Sequence, residues 1–125
     1  MEFRVIEHTG IKVVEGVPDS ASILIGPTVL EAIAACWEHG TARLIVHAAN
    51  LPAQFFDLKS GEAGEILQKY RNYGVRLAVV GGLDEAAANE RFSEAMIEEN
   101  RQPHFRIFAE RVQAIAWLVG DGSQP

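Results

Sequence analysis

His47, Asn50, Asp57, Lys59, Ser60, Gly61 and Gly64 stand close together between two apolar strand patterns. Their types admit three kinds of chemistry. Asp57 and Lys59 are an acid and a base that could exchange a proton or clamp a polar ligand, provided burial shifts their pKa values. Ser60, ahead of a helix, could carry a phosphate, because unpaired N–H groups and the helix dipole favour an anion there. It equally suits a capping hydroxyl, and the nearby Glu62 opposes a second negative charge. His47 leaves an apolar strand and enters a loop with Asn50, and the carboxyl ends of strands in open α/β sheets border ligand crevices. The same pair also reads as a loop histidine and a turn asparagine that satisfy backbone groups. Gly61 and Gly64 lack the spacing and the Lys-Ser/Thr pair of a phosphate loop, so close packing and unusual backbone angles are their expected roles.

The elements that must position these residues follow from periodicity. Residues 3–7 and 11–15 are rich in Val, Ile and Phe and flank His8, Thr9 and Gly10, the pattern of a β-hairpin. Residues 17–20 break it, and Ile23, Leu24 and Ile25 suit a short strand. Pro27 fits the first turn of a helix that carries Val29, Leu30, Ile33, Ala34 and Trp37 as an apolar stripe up to Gly40. Leu44, Ile45 and Val46 read as a strand covered on both faces. A second helix is expected over 61–73, with Ala63, Ile66, Leu67, Tyr70 and Tyr73 inward, Glu65, Gln68, Lys69 and Asn72 outward, and Gly74 as its cap. Residues 77–80 form the clearest buried strand. Asp84 can cap a third helix carrying Ala88, Phe92, Ala95 and Met96, which Pro103 stops. Residues 105–108 form a last strand. A helix over 111–119 then presents Val112, Ile115, Ala116 and Val119 on one face, with Trp117 off that stripe.

Composition narrows the classes. The 125 residues carry a formal net charge of −6, with 48% hydrophobic and 22% charged residues. This is ordinary globular composition, and its sign disfavours nucleic acid or an anionic membrane as partner, a local basic patch aside. Met1, Glu2, Phe3 and Arg4 begin no signal peptide, and no run reaches the roughly 20 apolar residues that span a bilayer. Cys36, the one cysteine, falls within an apolar stripe and reads as an inert core thiol in a reducing compartment. His8, His39 and His104 have no metal-ligand spacing. Trp117 either covers a neighbouring element or marks a homodimer contact.

Two resemblances centre on residues 55–82. His47, Asn50, Leu51, Phe55, Phe56, Asp57 and Leu58, then Gly61, Ala63, Gly64, Glu65 and Ile66, Gln68 and Lys69, Asn72 and Tyr73, and the strand ending at Gly81 resemble a bacterial family of unknown function, number 4180. Residues 97–100 and the strand and helix of 105–118 fit the same family, which implies kinship without an activity. More distantly, Asp57, Ser60, Gly61 and Gly64 before a helix, a glycine and an apolar strand resemble the switch loop of STAS domains, the anti-sigma-factor-antagonist fold. That resemblance implies a partner kinase acting on the loop hydroxyl. The spacing departs from it: Asp57 and Gly61 are four residues apart instead of three, and Glu62 and Ala63 separate the glycines instead of one leucine.

Together these readings imply a single α/β domain over residues 1–119 with a flexible tail at 120–125. The architecture expected is a STAS-like mixed sheet of about five strands, an N-terminal hairpin followed by parallel strands, with about four helices. The function expected is a small cytoplasmic regulatory or protein-interaction module without catalysis, which meets a partner protein through residues 50–64 and the exposed face of the second helix. The alternative is a small-ligand-binding protein or weak enzyme with its pocket beside His47, Asn50, Asp57, Lys59 and Ser60. No metal or other cofactor is expected.

Overall fold

The computed structural model describes residues 2–18, 24, 27–57, 61–84, 94 and 104–120. Five strands form one sheet in the order β1 (Phe3–His8), β2 (Ile11–Gly16), β3 (Arg43–His47), β4 (Arg76–Val80) and β5 (Phe105–Phe108). β1 and β2 are antiparallel and every other pair is parallel, so the sheet is mixed in the way the sequence implies. The hairpin turns on Thr9 and Gly10, at φ 52° and 83°. Two successive left-handed residues match the right-handed twist of the flanking strands.

Alternation along each strand divides the side chains between two layers. On one face α1 (Pro27–Glu38) and α2 (Glu62–Asn72) cover Val14, Leu44, Val46, Leu77 and Val79. On the other, α3 (Arg111–Gly120) covers Val13, Ile45 and Ala78 with Ala114 and Leu118. The middle residues of β3 and β4 are buried on both faces, which is why both strands read as unbroken apolar runs.

α2 follows its sequence pattern: Ala63, Ile66, Leu67 and Tyr70 are buried and Glu65, Gln68, Lys69 and Asn72 exposed. Tyr73, expected inward, ends the helix and lies exposed. The buried Tyr70 hydroxyl donates to the Val29 carbonyl at 3.3 Å and ties α2 to α1. The other two helices are rotated from expectation. α1 buries Val29, Ala32, Ile33 and Cys36, and leaves Leu30, Ala34 and Trp37 in solvent. α3 buries Ala114 and Leu118, while Val112 and Ala116 face water. Both helices are apolar nearly all round, so hydrophobic period alone does not select the inward face.

Leu24 is a buried bend whose N–H donates to the Asn50 carbonyl at 2.7 Å; the other residues of the short strand expected there lie outside the described residues. Leu83, Asp84 and Glu94 have helical backbone, and Ala88, Phe92, Ala95 and Met96 of the expected third helix also lie outside them, as do 121–125.

Candidate functional site

The carboxyl ends of the parallel strands β2 and β3 present Glu15 and His47 on the α3 side of the sheet. Each lies two residues beyond an apolar core residue of the same face, Val13 and Ile45. Glu15 is completely buried. An isolated carboxylate there would carry a large desolvation cost, so its partners decide whether the arrangement is tenable. They saturate it. Arg111, the first residue of α3, donates from Nε to Oε2 and from Nη2 to Oε1, both at 2.8 Å. Arg4, directly across the hairpin from Glu15, donates from Nε to Oε1 at 3.1 Å. His47 Nε2 lies 2.6 Å from Oε2.

Burial by itself pushes the Glu15 carboxyl up. The hydrogen bonds from Arg111, then Arg4 and His47, outweigh it and hold the group at about 2, down from 4.5. The bond to Glu15 raises the Arg111 pKa in turn. An ionised carboxylate only accepts, so Nε2 of His47 carries the proton in their contact. The backbone fixes the ring: the His47 N–H donates to Asn50 Oδ1 at 3.0 Å, and the imidazole faces the Asn50 N–H across a short 3-10 turn. Two guanidiniums around one carboxylate leave a local excess of one positive charge when His47 is neutral, inside a chain of net charge −6.

Of the residues singled out by sequence, His47 and Asn50 are brought together. Asn50 is fully buried, and its amide is spent within the fold: besides accepting from His47, Nδ2 donates to the Val17 carbonyl at 3.2 Å. Asp57 is exposed after the second 3-10 turn (Ala53–Phe56). Gly61 takes the N-cap position of α2 at φ 77°, the unusual backbone angle expected of it, so the cap is a backbone one. Gly64 is exposed in the first turn with open space around it and is not a packing glycine. Close packing falls to Gly82, where a Cβ would lie 2.6 Å from Phe56 Cζ. Lys59 and Ser60 lie outside the described residues.

Trp117 sits toward the other end of α3, half-buried against Phe108, with the Arg76 guanidinium 4.3 Å from its ring centroid and that of Arg106 at 5.4 Å. Trp117 thereby covers a neighbouring element, β5. Arg43 Nε donates to the Leu118 carbonyl at 2.8 Å, so arginines from the sheet meet the negative end of the α3 dipole. Cys36 is buried and its thiol is pushed up to about 12 by burial. Among the described residues no three His, Cys, Asp or Glu side chains gather as a metal ion would need. Among them, too, no helix is long and apolar enough to cross a membrane.

Glu15, Arg4 and Arg111 escape the sequence reading. One signal for them exists: a two-residue turn at Thr9 and Gly10 pairs residues whose numbers sum to 19, which sets Arg4 opposite Glu15. Arg111 is 96 positions from Glu15, and no local pattern announces it.

The chain matches the sequence model of a domain of unknown function, DUF4180, over residues 8–118. No curated protein and no solved structure matches it.

Proposed function

The chain belongs to the DUF4180 family, and since that kinship carries no activity we propose from its surface that it is a small non-catalytic regulatory module that binds another protein. The observation that carries this reading is an aromatic pair held in solvent. Trp37 of α1 is 60% exposed and Tyr73, at the end of α2, 44%, with ring centroids 5.6 Å apart in an edge-on contact. Leu30, 48% exposed, and Ala34 continue the stripe along α1 at helical spacing. Large aromatics on rigid helices bind at low entropic cost, and such residues dominate the energetics of protein interfaces. The exposed polar face of α2 would form the rim.

In this reading the loop of residues 50–64 adds Asp57, Gly61 and Gly64, exposed among its described residues, to the recognition surface. The order of Asp57 and Gly61 ahead of α2, with Gly64 in its first turn, keeps a STAS-like relation within the proposal. A non-catalytic reading is supported by Glu15 and His47, the best-placed acid–base pair, being bonded to arginines and backbone and not poised toward solvent.

Affinity purification from native lysate, comparing the wild type with Trp37→Glu, tests it. The expected result is a partner protein captured by the wild type and lost with Trp37→Glu, far-UV circular dichroism being unchanged. An identical set of captured proteins for both would overturn the assignment of the surface.

A further inference from the structure

The α3 side of the sheet is electrostatically opposite to the protein as a whole. Within the strands and α3, this face carries Arg4, Arg43, Arg76, Arg106 and Arg111 and a single acid, Glu15. Arg43 and Arg76 turn toward carbonyls at the end of α3. Arg4 and Arg111 are arranged differently. Both end on the same oxygen, Glu15 Oε1, so two guanidiniums are gathered within reach of one atom while remaining 50% and 42% exposed.

Their donors are far from used up. Among the described residues, Arg4 spends only Nε, and Arg111 spends Nε and one Nη2 hydrogen, all on Glu15. The terminal nitrogens of Arg4 and Nη1 of Arg111 thus have no partner among the described residues, on side chains that are half exposed. Among the described residues the acid that these two arginines meet is Glu15. The buried carboxylate both orients the two forks and is too deep to fill their outer sides. One further anion-attracting element coincides with them, since Arg111 opens the ten-residue α3 and the positive end of its dipole lies there.

We propose that the outer side of the Arg4–Arg111 pair is a binding site for a phosphate group, with Glu15 as the buried anchor that positions both guanidiniums. A phosphate offers oxygens enough to engage the planar fork of Arg4 and the free edge of Arg111 together, and it neutralises the excess charge that Glu15 leaves. His47 is a positioning residue, held through Glu15 and 16% exposed. The site lies on the face of the sheet opposite α1 and α2, so it is separate from the Trp37 surface and stands or falls independently of it.

The test is titration of the full chain with inorganic phosphate at constant ionic strength, followed by amide and arginine-side-chain NMR, with acetate and chloride as parallel arms. Arg4→Gln and Arg4→Lys are the variants, because Glu15 keeps Arg111 and His47 without Arg4 and the fold persists. Saturable shifts at residues 4, 15, 47 and 111, weakened about tenfold or more by Arg4→Gln and only partly restored by Arg4→Lys, are expected for fork recognition. Absence of saturation, shifts centred elsewhere, or an equal response to chloride overturns the site. Acetate binding as tightly as phosphate overturns the phosphate assignment.

Discussion

Replacing Glu15 with glutamine removes the charge from a buried group that accepts from Arg4, His47 and Arg111. Its effect can be sized from the carboxyl shift. Moving from 4.5 to about 2 makes the ionised form more favourable in the folded state by roughly 3 kcal/mol, or about 2–3 after allowance for the half-exposed arginines. The variant loses this and adds a conflict, because an amide N–H2 turns donors toward donors and leaves two guanidiniums around a neutral group. A cost of about 3–5 kcal/mol at pH 7 is expected, as when one partner of a buried ion pair is removed. The sign of the pH dependence follows from a depressed acid: the stabilisation is complete above the unfolded value and disappears as pH falls through the folded one. Urea denaturation of both proteins between pH 7 and pH 2 should therefore show a constant gap above about pH 5 that closes progressively toward pH 2. A gap below about 1 kcal/mol at pH 7, or one indifferent to pH, refutes the account of Glu15 as an ionised anchor.

Two further predictions concern packing. Gly82→Ala must place a methyl against Phe56 at a left-handed position, φ 80°, and should cost about 2–4 kcal/mol in thermal or chemical denaturation, whereas Gly64→Ala, with open space in a helix, should stabilise by about 0.5 kcal/mol. Equal effects of the two substitutions would contradict the placement of these glycines. Cys36, buried with its thiol raised to about 12, should resist iodoacetamide at pH 8 in the native protein and react fully in denaturant, as read by mass; stoichiometric labelling of the native chain would disprove its burial.

How much of this was legible in the sequence depends on whether a polar boundary marks the answer. β3 and β4 were readable because their apolar runs end at charged or turn residues. α2 was readable because Glu65, Gln68, Lys69 and Asn72 mark its wet side. α1 and α3 offer no such contrast. Leu30, Ala34 and Trp37 are as apolar as the residues actually buried, and in α3 the inward phase is set by Arg111 reaching Glu15 and by Trp117 lying on Phe108. Glu15 itself was invisible because pattern reading assigns a charge in a strand to the water side. Its burial depends on hydrogen-bond partners at separations of 11, 32 and 96 positions, only the first of which hairpin arithmetic recovers. His47 and Asn50 were found together for the right local reason, a strand end followed by a turn. Asn50, however, is wholly interior.

The pairing of Arg4 with Glu15 also acts as a proofreader for the first strand. Side chains alternate across a sheet with period two, so sliding β1 by a single residue along β2 would turn Arg4 to the α1–α2 face. A purely apolar hairpin core could tolerate such a slip at modest cost, exchanging one branched side chain for another. Here the displaced alignment would strand a deeply buried carboxylate short of one of its cations. The acid at the heart of the network thereby selects one alignment of the N-terminal strand over its nearest competitors.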